Sequence, residues 1–246
     1  MSLLITGGTK GIGLAIGKAF AAPGATIILN YVADDAAAQS AKAEIEARGA
    51  DCRLVKADAG TIDGCRRIAD AASGVTAHLD QVVHCAVDAY ATPALAADLE
   101  RFTRAVNTNG VSLLYLVQSV HSLLRRGSTI FFLTSRGGRI VVPNYAAIGL
   151  GKALSESLVR YLAVELAPRG IRINCIAPSI VETEAVKTLF GAASADLVKH
   201  SAETNPSGRG VKDADYTSLM KFLASPEAEF ITGQVVFVNG GANLSA

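Results

Sequence analysis

The 246-residue sequence has no tryptophan, only 2 methionines and 7 prolines, and no excess of charge of either sign. Its formal net charge of +1 excludes the strongly basic field with which proteins bind nucleic acid or anionic membrane surfaces. The longest apolar runs, such as residues 128–133, have the length of a strand and are far too short to cross a bilayer. We therefore expect neither a nucleic-acid partner nor a membrane attachment.

Cysteine is also scarce, and the 4 thiols lack the Cys-x2-Cys spacing of a metal site. They stand at Cys52, Cys65, Cys85 and Cys175. Scattered, unpaired cysteines are typical of a protein kept reduced inside the cell, and they predict no metal centre. The N-terminal residues MSLLITGG enter a strand pattern directly, without a basic and apolar leader. The expected location is therefore the cytoplasm.

Short β-branched runs alternate with longer helical patterns along the chain. The predicted strands lie near residues 3–5, 25–29, 52–56, 80–84, 128–133, 171–175 and 234–238, and the two longest helices near residues 99–124 and 145–167. Strands that alternate with helices predict a parallel sheet covered on both faces, and right-handed crossovers make it a doubly wound α/β fold. We predict one domain over residues 1–246. A polar segment at about residues 182–210 interrupts the alternation and is predicted to be an insertion at the ligand-binding edge of the sheet.

A glycine-rich segment, TGGTKGIG at residues 6–13, joins the first predicted strand to the first predicted helix. Glycines let the backbone turn tightly and approach a pyrophosphate, and the following helix offers it unpaired N–H groups. The segment therefore predicts a dinucleotide site. Its predicted contacts are Gly7, Thr9, Lys10, Gly11, Ile12 and Gly13.

The end of the second strand decides between NAD and NADP, because a carboxylate there would hold the ribose hydroxyls and repel a 2′-phosphate. The sequence has Asn30 and Tyr31 at this point, whereas Asp34 and Asp35 come later and are predicted to cap the next helix. Lys10 supplies a cation that could reach a 2′-phosphate, with a solvated loop charge as the alternative. We therefore predict NADPH as the cofactor, with NADH as the less favoured one.

The glycine loop, the later Ser135, Tyr145 and Lys152, and ITGQVVFVNGG at residues 231–241 resemble the short-chain dehydrogenase/reductase superfamily over nearly the whole chain. The resemblance implies a Rossmann-type sheet of about seven strands in the order 3-2-1-4-5-6-7. It also implies a homodimer or homotetramer formed through the two long helices. Its remaining implied cofactor contacts are Asp58 and Ala59 at the adenine, Cys85 and Ala86 near the ribose, and Pro178, Ile180 and Thr183 along the nicotinamide.

The sequence departs from this family after the fourth strand. The family has Asn-Asn-Ala-Gly there, a segment that ties the sheet together, and this chain has His84, Cys85, Ala86 and Val87. We interpret His84 as a structural residue at the end of the strand rather than a catalyst. Cys85 is interpreted as a buried small hydrophobic residue.

A second departure concerns the tyrosine and lysine. The usual pair has three residues between its members, whereas Tyr145 and Lys152 have six, and Ile148 holds the usual tyrosine position. On a helix both spacings return to nearly the same face, about one turn apart in height. We therefore predict that the catalytic acid has moved along the helix rather than vanished.

A Tyr-x6-Lys pair is what the enoyl-acyl-carrier-protein reductases of this superfamily carry, and the stretches NYAAIGLGK and RYLAVELAP are similar to their NADPH-dependent third type. This resemblance implies reduction of the trans-2 double bond of an acyl thioester in fatty-acid synthesis, with acyl-carrier protein or coenzyme A as the carrier. Tyr145 would donate a hydrogen bond to the thioester oxygen, Lys152 would hold the nicotinamide ribose, Ser135 would hold the substrate oxygen, and Asn107 would organise a proton-relay water.

Two other functions stay open at this point. The first is a ketone or aldehyde reductase of the 3-oxoacyl type, which would use Ser135 with a displaced Tyr145. The second is a non-catalytic NADPH-binding sensor, which the altered segment after the fourth strand supports.

Overall fold

Seven parallel strands form a single sheet in the order β3-β2-β1-β4-β5-β6-β7. The structure is a computed structural model that describes residues 1–242, so the last four residues of the predicted domain lie outside the described part. The strands are β1 (Ser2–Thr6), β2 (Thr26–Tyr31), β3 (Asp51–Lys56), β4 (Leu79–His84), β5 (Leu124–Leu133), β6 (Arg172–Pro178) and β7 (Val235–Val238). The predicted fold and strand order are confirmed.

Helices cover both faces of this sheet. They are α1 (Gly11–Phe20), α2 (Asp35–Glu46), α3 (Ile62–Ser73), α4 (Leu99–Val106), α5 (Ser112–Val120), α6 (Ala146–Leu166), α7 (Glu184–Phe190), α8 (Ser194–Glu203) and α9 (Asp213–Ala224). A π-helical turn, Asn107–Val111, joins α4 to α5. Within residues 1–242, no helix combines the length and apolar character needed to cross a membrane.

The strands are buried on both faces because their side chains alternate between two apolar cores. Leu4, Val82 and Phe132 lie in one core, with residues of α3, α5 and α6. Leu3 and Ile5 lie in the other, with residues of α1, α2 and α9. This arrangement explains why the strands appear in the sequence as nearly continuous apolar runs.

Two predicted boundaries are wrong by several residues. The helix predicted to reach about residue 124 ends at Val120, and β5 begins at Leu124 rather than Ser128. Ser128 explains the difference, since its hydroxyl donates to the Leu79 carbonyl oxygen and accepts from the Arg125 N–H. These bonds hold an irregular start of β5 against β4, where the register shifts.

The predicted insertion at residues 182–210 contains α7 and α8, whose positions the sequence did not indicate. Thr183 caps α7 by accepting a hydrogen bond from the Val186 N–H. At the other end, the Asn205 side chain donates to the Asn239 carbonyl oxygen just after β7 and accepts from the Ser207 N–H. The insertion is therefore anchored at the carboxyl edge of the sheet.

Candidate active site

The loop between β1 and α1 brings backbone very close to backbone. Gly7 has φ +62°, and a Cβ there would lie 3.0 Å from the Cα of Ala86. A Cβ at Gly13 would lie 2.2 Å from the Gly7 carbonyl oxygen. These glycines leave a cradle that side chains would fill, beside the unpaired N–H groups at the start of α1. A pyrophosphate fits such a cradle.

The other predicted residues of this loop differ in exposure. Thr9 is buried within the loop, Lys10 is exposed and Ile12 packs against the core. Gly11 faces the insertion, because a Cβ there would lie 2.9 Å from the Thr183 side chain. The segment from the end of β6 to α7, which contains Pro178 and Ile180, therefore reaches the glycine loop.

Replacing Gly13 with alanine is expected to weaken NADPH binding by about 100-fold. The added Cβ must displace the loop, so the phosphates lose charge-assisted hydrogen bonds that are worth about 1.5–3 kcal/mol each. The measurement is a titration that follows NADPH fluorescence. Gly74→Ala is the matched control, because Gly74 has ordinary backbone angles and a Cβ there would meet nothing nearer than 3.6 Å. An affinity within threefold of wild type for Gly13→Ala would contradict the assignment.

Charges of both signs meet at the tip of β2. Asp34 caps α2 as predicted, accepting from the Ala37 N–H, and its carboxylate also accepts from Lys10 at 2.5 Å. Asp35 accepts from the Tyr31 hydroxyl and from Lys56, both at 2.7 Å. Hydrogen bonds from Ala37 and then Lys10 hold the pKa of Asp34 below its usual range. The linear sequence did not indicate that both carboxylates return to this tip, where they balance the cations.

Asn30 and Asp58 are placed differently from each other beside this tip. The Asn30 side chain is buried and donates to the Val55 and Ala57 carbonyl oxygens, so it ties β2 to β3. Asp58 is exposed, and one of its carboxylate oxygens accepts from the Gly60 N–H, while Ala59 is buried beside it. Asp58 is therefore open to a ligand, whereas the Asn30 amide nitrogen is occupied by the sheet.

Ser135 and Tyr145 meet at the carboxyl edge of the sheet. Ser135 follows β5, and its Oγ lies 3.2 Å from the Tyr145 hydroxyl oxygen. The tyrosine ring packs on Gly137, where a Cβ would lie 2.6 Å from ring carbon Cδ1. Burial raises the pKa of Tyr145, and the hydrogen bond with Ser135 acts in the opposite direction. The phenol is therefore protonated at neutral pH and able to donate.

Lys152 enters the same region from α6. Its side chain is only 6% exposed, its Nζ donates to the Leu133 carbonyl oxygen at 2.8 Å, and it lies 4.6 Å from the centre of the Phe132 ring. Burial lowers the pKa of this lysine to about 8. The ammonium is therefore held beneath the end of β5, the strand that Ser135 follows.

The position that usually carries the tyrosine belongs to the core. Ile148 is 0% exposed, so the residue there is a packing residue. Tyr145 is the cap residue before α6 rather than a member of the helix, with φ −104° and ψ 8°. The helical rise between the two positions therefore does not describe the phenol's placement, which depends on the cap conformation and on the contact with Gly137.

The last residue of β4, His84, is fixed by a polar contact. His84 is fully buried, and its Nε2 lies 2.7 Å from the Ser112 hydroxyl. Because that hydroxyl donates its hydrogen to the Thr108 carbonyl oxygen, His84 must be the donor to Ser112. Its Nδ1 has no hydrogen-bond partner in the described part of the chain. Burial, and then the Lys152 ammonium, lower the pKa of His84 to about 3.

Cys85 and Ala86 continue this segment toward the glycine loop. Their N–H groups lie 3.2 and 3.3 Å from the Thr6 hydroxyl oxygen, which accepts from them. Burial raises the pKa of the Cys85 thiol to about 11, so the thiol stays protonated. Both residues are partly buried beside the glycine loop, so Cys85 is less buried than predicted, and its protonated thiol is a weak nucleophile.

Because His84 is buried in its neutral form, we expect the protein to lose stability in acid. Its pKa is lower in the folded protein than the unfolded value of 6.5, so this part of the stability is complete above that pH and is lost as the pH falls toward about 3. At about 1.4 kcal/mol per pH unit, the loss by pH 5 is about 2 kcal/mol. Urea unfolding measures the free energy of unfolding at pH 6.5 and at pH 5. The decrease between these two pH values should be smaller by about 2 kcal/mol in His84→Asn than in wild type. In His200→Asn, at an exposed site, the decrease should match that of wild type. Equal slopes for both variants would contradict the assignment.

Asn107, the predicted proton-relay residue, begins the π-helical turn and is partly buried. The sequence analysis missed the neighbouring Asn109, which is fully buried. Its side chain accepts from the Asp88 N–H and donates to the Asp88 carbonyl oxygen, and Arg101 pairs with the Asp88 carboxylate. The second asparagine of the sequence AVNTNG was the feature that could have indicated this residue. Together these residues fix the segment that replaces the family's Asn-Asn-Ala-Gly.

Comparison with known proteins gives matches over nearly the whole chain. A family model described as enoyl-(acyl carrier protein) reductase matches residues 7–243. The chain is 28% identical to 1-cyclohexenylcarbonyl-CoA reductase of Streptomyces collinus, over 99% of this chain and 87% of that protein. It is 31% identical to an NADPH-dependent aldehyde reductase-like chloroplast protein of Arabidopsis thaliana, over 97% and 92% of the two chains.

A solved structure matches this chain over its whole length. The crystal structure of an enoyl-[acyl-carrier-protein] reductase (NADH) from Aquifex aeolicus superimposes with a TM-score of 0.88. The two chains are 28% identical, and the match covers 100% of this chain and 97% of that one. The matched proteins include enoyl reductases and an aldehyde reductase-like protein, and their names give both NADPH and NADH as cofactor. The choice between an enoyl and a carbonyl substrate therefore depends on the residues of the site.

Proposed function

The chain belongs to the enoyl-(acyl carrier protein) reductase family of short-chain dehydrogenase/reductases, and on that basis we propose that it reduces the trans-2 double bond of enoyl thioesters with NADPH. The observation that carries this proposal is the cap position of Tyr145, with its hydroxyl 3.2 Å from Ser135 and with Ile148 buried at the usual tyrosine position. By resemblance, the proposed biological role is in fatty-acid synthesis, and the proposed type is the third, NADPH-dependent one.

The residues of this chain would act on the thioester oxygen. Saturation of a conjugated double bond places negative charge on that oxygen as an enolate forms. A phenol that donates to the oxygen stabilises the charge where it develops, and we assign this donation to Tyr145. Ser135 holds the phenol in place through the hydrogen bond between the two hydroxyls. By resemblance, we also assign to the Lys152 ammonium an electrostatic part in this donation.

The glycine-loop cradle and Asp58 would hold the dinucleotide, with Lys152 at the nicotinamide ribose. When bound, NADPH supplies the hydride. We propose NADPH over NADH because β2 ends at Asn30 and Tyr31 without a carboxylate of its own. Lys10 and Lys56 lie at this tip, where a 2′-phosphate would take the place of their present partners, Asp34 and Asp35. The four cysteines are unpaired, which fits the proposed cytoplasmic location.

A substrate panel tests the proposal. Oxidation of NADPH is followed with a trans-2-enoyl thioester, a β-ketoacyl thioester and a simple aldehyde, with each acyl group on coenzyme A and on acyl-carrier protein. We expect kcat/KM to be at least about 100-fold higher for the enoyl compound, because an enoyl reductase stabilises the enolate-like transition state more than the alkoxide-like one. NADH in place of NADPH should lower kcat/KM. A preference for the keto compound would overturn the proposal.

The second candidate is a ketone or aldehyde reductase. It is supported by the hydrogen bond between Ser135 and Tyr145, since a serine and a tyrosine together can hold and protonate a carbonyl oxygen. The aldehyde reductase-like relative points the same way. Turnover of the keto or aldehyde compound alone would establish this function, and binding of NADPH without turnover of any compound would indicate the sensor.

We also propose that the protein assembles as a homodimer or homotetramer through α4 and α6, which pack side by side. Both helices carry exposed large apolar side chains, namely Leu99, Leu150, Leu154, Tyr161 and Val164. Changing Tyr161 and Val164 together to glutamate is expected to yield monomers, because buried unpaired charges oppose association. Analytical ultracentrifugation measures the result, with Val32→Glu, at an exposed site that follows β2, as the control. An unchanged mass for the double variant would contradict this interface.

A further inference from the structure

A buried carboxylate lies directly beneath the segment that carries Ser135. Glu156, one helical turn beyond Lys152 on α6, has a side chain that is only 6% exposed. One of its oxygens accepts from the Thr134 hydroxyl at 2.7 Å, and the other accepts from Arg139 Nε at 2.9 Å. The two oxygens therefore hold residues on either side of Ser135.

Arg139 connects this carboxylate to the surface. Its side chain is 48% exposed, and its guanidinium lies over the Phe237 ring at 4.9 Å, on β7. The pair thus joins the catalytic helix, the serine segment and the last strand. A surface ion pair would contribute little, but here the carboxylate partner is buried, so removal of the arginine leaves a desolvated charge.

The serine segment has little freedom to move once these bonds are made. A Cβ at Gly138 would lie 3.0 Å from a Glu156 carboxylate oxygen, so the segment rests directly on the carboxylate. Gly137, the preceding residue, contacts the Tyr145 ring. A displacement of the segment would therefore move the Ser135 hydroxyl and remove the surface on which the Tyr145 ring packs.

We propose that Glu156 is a positioning residue whose paired contacts with Thr134 and Arg139 hold Ser135 and Tyr145 in the geometry that delivers the phenol to the substrate oxygen. The proposal rests on the proposed function only in its use of Tyr145 as the donor. The side-chain partners of Glu156 are Thr134 and Arg139, so we assign it an action through Ser135 and Tyr145 rather than on a reacting atom. The role requires only that the Glu156 carboxylate accepts these two hydrogen bonds and carries a negative charge beside Arg139.

The test compares Glu156→Gln, Arg139→Gln and the double variant, with Glu46→Gln as a matched control. Glu46 forms an ion pair with Lys42 on the distant helix α2. We expect kcat to fall about 10- to 100-fold in all three variants, because small misplacements of reacting groups are that costly. The KM for the thioester and the Kd for NADPH should change less than threefold. Since the two residues act as a unit, the double variant should be no worse than the single ones.

A crystal structure of Arg139→Gln supplies a readout that does not depend on activity. The distance between Ser135 Oγ and the Tyr145 hydroxyl oxygen should lengthen beyond the 3.2 Å of the native chain. If Glu156→Gln does not fold, Arg139→Gln still tests the proposal, because it leaves the Glu156 carboxylate and its hydrogen bond from Thr134 in place. A kcat within twofold of wild type in Arg139→Gln would overturn the positioning role, as would an unchanged Ser135–Tyr145 distance.

Failure of the proposed enoyl reduction can be distinguished from failure of the positioning role of Glu156. A wild-type enzyme that reduces only ketones or aldehydes would overturn enoyl reduction, and the ratio of variant to wild-type kcat on those compounds would still decide the role of Glu156. If the wild type turns over no compound of the panel, the Ser135–Tyr145 distance alone decides it.

Discussion

Replacing Tyr145 with phenylalanine is expected to lower kcat for an enoyl thioester by about 100-fold or more, while the Kd for NADPH stays within about twofold. The phenol is the group placed to donate to the developing enolate oxygen, and removal of one such donor typically costs about 2.7–4 kcal/mol. The ring itself keeps its packing on Gly137, so the fold should not suffer. Steady-state kinetics with a trans-2-enoyl thioester and a fluorescence titration with NADPH measure the two quantities.

The control for this variant is Tyr161→Phe. Tyr161 lies on the same helix α6 but is exposed, so loss of its hydroxyl should leave kcat unchanged. A Tyr145→Phe enzyme that keeps more than half of the wild-type kcat would show that another group supplies the hydrogen bond. Ser135 would then be the first residue to replace, because its hydroxyl is the nearest alternative donor.

Replacing Lys152 with methionine is expected to abolish turnover and, at the same time, to stabilise the protein. Burial lowers the pKa of Lys152 from 10.5 to about 8, so the folded protein binds this proton less tightly than the unfolded chain does. At about 1.4 kcal/mol per pH unit, the charged lysine costs about 3–4 kcal/mol of stability below pH 8. Methionine removes that cost but also removes the hydrogen bond to the Leu133 carbonyl oxygen, worth about 1 kcal/mol. The net gain is about 2–3 kcal/mol.

The pH dependence separates this explanation from a general packing effect. The cost of the buried charge is complete below the folded pKa of about 8, shrinks as the pH rises, and is absent above 10.5, where the lysine is neutral in both states. Urea unfolding should therefore show the gain at pH 7 and lose it near pH 10. Lys221→Met, at an exposed site on α9, is the control and should show no gain. Equal stability of wild type and Lys152→Met at pH 7 would contradict the account.

The fold follows from patterns that are local in sequence. Apolar strand segments such as residues 3–5 and 80–84 alternate with helical segments, and this alternation is enough to predict a parallel, doubly wound sheet. The boundary errors arose where a side chain overrides the local pattern. Ser128 holds the start of β5 through bonds to Leu79 and Arg125, one of them to a strand far away in sequence.

The site was predicted less completely than the fold. Residue types and spacing pointed to the glycine loop and to Tyr145 with Lys152, but they did not show that Tyr145 is a cap residue positioned by Gly137. Contacts such as Asn109 with Asp88, or Glu156 with Thr134, join residues about 20 positions apart. No local pattern carries such pairings, because they depend on how the strand ends meet after folding.

The most direct test of the central claim is the position of the transferred hydride. Wild-type enzyme would reduce a trans-2-enoyl thioester with NADPH that carries deuterium at the transferred position, and nuclear magnetic resonance would locate the deuterium in the product. We predict a saturated thioester with deuterium on the β-carbon. Absence of this product, together with a 3-hydroxyacyl thioester labelled on its carbinol carbon from the β-ketoacyl substrate, would contradict enoyl reduction and identify a carbonyl reductase.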